Sequence, residues 1–231
     1  MLTINGLNQY YGQSHTLWDL DIEIPKGSCT CVLGRNGVGK TTLMQCLMGL
    51  APNVTGEILF EGVDLAKLET EKRAPMGIAY IPQGRQIFAQ LTVEENIRTG
   101  FFAGRTPHTS IPDSIYELFP VLREMSSRRG GDLSGGQQQQ LAIARALVLD
   151  PTVLIMDEPA EGIQPTIVQE IGDVITQLNQ ERDITVVLVE QKLPFARRVG
   201  SQFVILDRGR LMANGLMSDL DDTLVNKYLT V

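Results

Sequence analysis

Gly34-Arg35-Asn36-Gly37-Val38-Gly39-Lys40-Thr41 is the stretch on which the reading of this chain turns. It fits G-x-x-x-x-G-K-[ST], and its surroundings suit that pattern: the apolar run Ser28–Leu33 precedes it and helical spacing from Gly39 to Leu50 follows it. Glycines let successive backbone N–H groups turn inward onto phosphate oxygens, and the helix N-terminus adds partial positive charge. Lys40 is placed to reach β- and γ-phosphates, and the Thr41 hydroxyl to bind Mg²⁺. Asn36, Gly37, Gly39 and Thr42 are the remaining candidate contacts of the loop. Out of context the same residues make a Gly-rich turn with an exposed lysine; the strand before and helix after favour the phosphate loop.

Before the loop, short strands are expected near Leu2–Leu7 and Leu17–Ile24, with a turn at Pro25-Lys26-Gly27; after it, near Glu57–Phe60 and Gly77–Ile81, the latter stopped by Pro82. From Pro82 to Leu133 helical patterns dominate. Thr92-Val93-Glu94-Glu95 is a capping box, Arg105–Pro112 a loop, and Asp113–Met125 a helical pattern interrupted by Pro120. Strand and helix then alternate: Gly136–Leu149 helical, Val153–Met156 apolar, Pro165–Asn179 helical, Thr185–Val189 β-branched, and a last pair at Phe203–Leu206 and Leu211–Ala213 before a short closing helix. Continuous apolar strands followed by helices mark a parallel sheet covered on both faces. The expected fold is therefore α/β, a P-loop parallel-sheet nucleus with an antiparallel β subdomain and an inserted helical subdomain. Residues 1–82 and 134–231 form the nucleus and 83–133 the insert.

A second site follows from Val153–Glu158, which puts two carboxylates at the end of a buried strand. In P-loop proteins an Asp there holds Mg²⁺ together with the loop hydroxyl, which is the role of Asp157. Glu158 points the other way on the pleat and can take a proton from, or orient, an attacking water. Taken alone, the pair is a solvated strand end before a Pro159 turn. Leu133-Ser134-Gly135-Gly136-Gln137 combines an N-cap and capping box with a glycine-lined helix start, a second place for an anion.

Composition narrows the class. The 231 residues carry 27 acidic and 20 basic side chains, a formal charge of −7, which disfavours nucleic-acid binding. Cys29, Cys31 and Cys46 are odd in number and without paired spacing, so they read as core rather than disulfides. No run approaches the ~18 apolar residues of a membrane span, and Met1–Asn5 has no signal-peptide pattern. His15 and His108 read as surface or loop residues, and Lys72-Arg73, Arg128-Arg129 and Arg197-Arg198 as solvated helix faces.

With these motifs in place, the chain resembles the ATP-binding cassettes of ABC transporters over nearly its whole length. The resemblance implies ATP and Mg²⁺ as ligands and ATP hydrolysis as the activity. It makes Gln83 the Q-loop glutamine, touching both metal and reaction. It sets Tyr11 against adenine, and assigns Ser134, Gly135, Gly136 and Gln137 to the nucleotide of a second cassette packed head to tail, identical or paralogous. It implies membrane permease subunits contacted through 83–133, a periplasmic or extracellular solute-binding protein acting through them, and a peripheral location on the cytoplasmic face of the inner membrane. Glu158–Pro165 and Val189–Leu193 are further similar to the cassettes of urea importers, within the branched-chain amino-acid and amide group. Two positions depart from the family: Gln191 stands at the switch histidine and Gln164 at the D-loop aspartate. Gln191 donates a hydrogen bond but carries no proton at neutral pH, so a positioning role is expected beside Glu158.

Overall fold

The computed structural model describes residues 2–105 and 107–229. Met1 of the N-terminal segment and Thr106 of the expected 105–112 loop lie outside the described residues. In chain order the elements are β1 (Leu2–Tyr11), β2 (Ser14–Ile24), β3 (Cys29–Leu33), α1 (Lys40–Met48), β4 (Val54–Phe60), β5 (Val63–Asp64), β6 (Ile78–Ile81), α2 (Val93–Thr99), α3 (Asp113–Leu118), α4 (Pro120–Glu124), α5 (Gly135–Leu147), β7 (Val153–Asp157), α6 (Pro165–Arg182), β8 (Thr185–Val189), α7 (Leu193–Val199), β9 (Gln202–Asp207), β10 (Arg210–Leu216) and α8 (Asp222–Tyr228).

The strands form two sheets. One is antiparallel, ordered β2-β1-β4-β5; the other is ordered β10-β9-β3-β8-β7-β6, parallel except for the β9–β10 hairpin. The parallel strands are buried on both faces, and their pleat deals side chains alternately into two cores. Cys29, Cys31, Leu33, Leu154, Met156, Val186 and Leu188 face a core shared with α5, α6 and the helical segment 93–133. Val32, Val153, Ile155, Val187 and Val189 face a core closed by α1 and the antiparallel sheet. Cys46 lies in this second core, where burial pushes its thiol up to about 12.

The Thr92 capping box is present, and Pro120 opens a new helix after α3 has ended, so the single stretch 113–125 is two short helices. In the expected surface pair Lys72-Arg73, only Lys72 is exposed. Arg73 is buried, and its guanidinium donates to the carbonyls of Cys46 and Leu47 at the end of α1 and of Leu65 and Leu68. The last carbonyls of a helix lack intrahelical partners and carry partial negative charge, which is what an arginine can satisfy. No helix among the described residues is long and apolar enough to cross a membrane.

Candidate active site

The phosphate loop leaves β3 and enters α1 through Gly39, whose φ of +106° and contact with Leu17 (a Cβ would lie 2.7 Å from its side chain) admit only glycine. The next residue, Lys40, is buried. Its ammonium donates to the carbonyls of Gly34 (2.8 Å) and Arg35 (2.9 Å) and stands 4.0 Å from Glu158. Burial lowers its pKa, while Glu158, Asp157 and Glu190 pull it back up.

Asp157 ends β7 as a buried carboxylate, and neither oxygen accepts a hydrogen bond of normal geometry. Burial raises its pKa most strongly; the Thr41 hydroxyl facing it and Lys40 oppose that. A buried, orphaned carboxylate beside a hydroxyl is a pair of hard oxygen donors, the chemistry Mg²⁺ takes from proteins. These residues fit that ion.

Glu158 does not continue the pleat as expected. The strand stops at Asp157, and Glu158 adopts a left-handed backbone, φ +50°, with its N–H on the Val189 carbonyl (3.0 Å). That turn, rather than pleat alternation, separates the two carboxylates. Gln83 Nε2 donates to Glu158 (3.2 Å) and to Glu161 (2.9 Å), and Gln191 Nε2 donates to the other Glu158 oxygen. The result is a cleft of about 300 Å³ lined by loop residues 36, 37 and 39–42 with Gln83, Glu158, Glu161, Gln191 and Thr16.

A profile described as ABC transporter matches residues 17–161, more than half of the chain. The chain belongs to the ABC transporter family. This cassette is 39% identical over 213 residues to the high-affinity branched-chain amino acid transport ATP-binding protein BraG of Pseudomonas aeruginosa, covering 92% of this chain and 91% of that protein. It is 37% identical over 221 residues to a probable branched-chain amino acid transport ATP-binding protein, LivF, of Archaeoglobus fulgidus, covering 95% and 94%. An ATP-binding subunit of an ABC transporter has the same fold, with a TM-score of 0.81, 27% identity and coverage of 97% and 93%. So does a dimeric cassette in a post-hydrolysis state with ADP and phosphate, with a TM-score of 0.84, 22% identity and coverage of 94% and 99%. The present chain is the ATP-binding cassette of an importer and an ATPase.

The cassette holds its other candidates apart from the cleft. Ser134–Gln137 cap α5 by a complete capping box and do not line it. Tyr11 ends β1, exposed, its hydroxyl on Gln45 (2.7 Å). Sequence reasoning missed Thr16, Glu161 and Glu190. Thr16 lies within β2 and Glu161 in the turn after Glu158, and no site motif singles out either side chain. Glu190 is buried at the end of β8; one oxygen accepts the N–H groups of Gln191 (2.7 Å) and Lys192 (2.8 Å), fixing the backbone that carries Gln191, and burial raises its pKa. A carboxylate at the end of an apolar strand was the available signal. The histidines have partners: His108 meets Asp150 (3.0 Å), and His15 stacks between Tyr10 and Trp18.

Proposed function

We propose that this cassette energises an importer of urea by hydrolysing ATP in the cleft between its phosphate loop and Glu158. The observation that carries the catalytic part is the convergence of Gln83, Gln191 and buried Lys40, from three separate segments, on the Glu158 carboxylate. Lys40 and the loop N–H groups hold the β- and γ-phosphates. Thr41 and Asp157, with the Gln83 amide oxygen, hold Mg²⁺, which supplies charge neutralisation on the phosphates when bound. Glu158 orients the attacking water and accepts its proton, a contribution of about 10²–10⁴-fold. Gln83 and Gln191 keep that carboxylate turned into the cleft. Tyr11 packs on adenine, and Ser134, Gly135, Gly136 and Gln137 close on the nucleotide of a second cassette, identical or paralogous.

Residues 83–133, inserted in the nucleus of 1–82 and 134–231, dock the permease subunits, which places the cassette peripherally on the cytoplasmic face of the inner membrane; the solute-binding protein acts through the permease. Urea is supported by the stretches Glu158–Pro165 and Val189–Leu193. The relatives favour a second reading, import of branched-chain amino acids. Two experiments test the proposal. Glu158→Gln should abolish phosphate release while retaining ATP binding; an active variant refutes the assignment. Deleting the gene should remove uptake of labelled urea and spare leucine; the reverse result transfers the cassette to the amino-acid branch.

A further inference from the structure

The segment leaving β6 reverses at three consecutive residues with positive φ: Gly84 (+77°), Arg85 (+68°) and Gln86 (+46°). Arginine and glutamine take that backbone only when the surroundings impose it. Two arginines do so, in opposite directions. From α5, Arg145 donates to the carbonyls of Gln86 (2.9 Å) and Arg85 (3.4 Å), with its guanidinium 5.3 Å from the Phe88 ring centroid. From the loop, Arg85 reaches back to Gln138 Oε1 on the first turn of α5 (3.4 Å) and to the Glu161 carbonyl (3.3 Å). Its guanidinium nitrogens lie 3.2 Å from where a Cβ on Gly135 would stand.

The loop therefore grips the start of α5, and α5 grips the loop near its own end. Two residues upstream, Gln83 bonds both Glu158 and Glu161. A continuous path of contacts thus runs from Glu158 through Gln83, Glu161 and Arg85 to Gly135 and Gln138. The first end is in this chain's cleft. The second is the helix start that does not line it.

We propose that Arg85 is a positioning residue that couples the two nucleotide sites of the assembled pair. It ties the orientation of Glu158 in one cleft to the placement of the α5 N-terminus against the other. This inference rests on the head-to-tail reading given above. A contact chain becomes coupling only if both ends change together, which is measurable.

The test uses the full chain with MgATP, as wild type, Arg85→Ala, Arg85→Lys and Glu158→Gln. Hydrolysis is measured against ATP concentration, nucleotide affinity with trinitrophenyl-ATP fluorescence, and folding by thermal melt. The wild type should be sigmoidal, with a Hill coefficient above about 1.5. Arg85→Ala should bring the coefficient to about 1 and cut maximal turnover about tenfold, with affinity within about twofold of wild type and an unchanged melt. Arg85→Lys should recover part of both losses. The proposal is overturned if Arg85→Ala keeps the wild-type coefficient and turnover, if its affinity falls in step with turnover, if lost turnover merely tracks lost folded protein, or if the wild type is itself hyperbolic. A wild type as inactive as Glu158→Gln would instead overturn the catalytic reading, and this inference with it.

Discussion

Asp157 carries a carboxylate into a place that water does not reach, and no donor there meets it with normal geometry. Leaving a buried polar group unsatisfied costs about 1–3 kcal/mol, more for a charge. Asp157→Asn should therefore raise the nucleotide-free melting temperature, by about 2–4 °C per kcal/mol for a chain of this size, while removing Mg²⁺-dependent hydrolysis. The pH dependence has a definite sign. Because burial raises the folded-state pKa, wild type pays its penalty above that raised value and sheds it as pH falls toward the ordinary carboxylate value near ~4. The advantage of the variant should be largest at pH 8 and shrink on acidification; a difference independent of pH would refute the argument. At Gln191 the expectation concerns rate. Its amide donates to Glu158, a positioning contact that an imidazole can also make. Gln191→His should change turnover by less than about tenfold; a hundredfold rise would show that this position needs a group able to carry a proton.

Among elements, those buried on both faces were the most legible. The run at 185–189 coincides with β8, and the run at 28–33 exceeds β3 by one residue at its start, because a strand with two dry faces has to be apolar throughout. The first hairpin was underestimated: β1 runs on past Leu7 to Tyr11 and β2 begins at Ser14 rather than Leu17, because the apolar pattern breaks at Asn8, whose side chain bonds Asp19 at the surface. The short α7 went unread, since seven residues hold too few turns for periodicity. Arg73 was misread because a basic pair carries no sign of the helix end it will cap. In the site, motif spacing pointed to the loop, Asp157 and Glu158, and the resemblance to Gln83 and Gln191; Glu190 left a signal at its strand end, whereas Thr16 and Glu161 come to the cleft through tertiary packing. The β9–β10 turn shows how much such packing fixes. Gly209 has φ +73°, donates to the Val38 carbonyl of the phosphate loop (2.9 Å), accepts from Trp18 N–H (2.8 Å), and would place a Cβ 1.9 Å from the Thr16 carbonyl. One residue thus pins the loop to the hairpin that lines the cleft. Gly209→Ala should cost about 2 kcal/mol or more in urea denaturation and weaken nucleotide binding together with stability. An unperturbed variant would mean that the turn is free to move.

At the scale of the whole molecule, the parallel sheet stands between two separate hydrophobic cores, so the cleft at its strand ends is bounded by material from both. The phosphate loop and Glu158 belong to this boundary; the capped start of α5 does not. A cassette that binds nucleotide alone but closes on it only in pairs should respond differently to damage at the two places. With Glu158→Gln as background, ATP should produce a species of twice the monomer mass in light scattering. Adding Ser134→Arg should prevent that species and leave nucleotide affinity of the single chain unchanged. Loss of affinity in the Ser134→Arg chain would place the α5 N-terminus in its own cleft.

Trp18 is the single tryptophan of the chain, and it lies between the His15 ring, 3.5 Å away by centroids, and the Arg210 guanidinium at 4.7 Å. Its neighbour Thr16 lines the cleft, and its own N–H is held by the Gly209 turn. The molecule thus contains a native optical gauge. An indole packed against an imidazole and a guanidinium emits according to how closely they stack, so ultraviolet emission reports on the grip between the two sheets, without a dye, in the same cuvette where ATP is turned over.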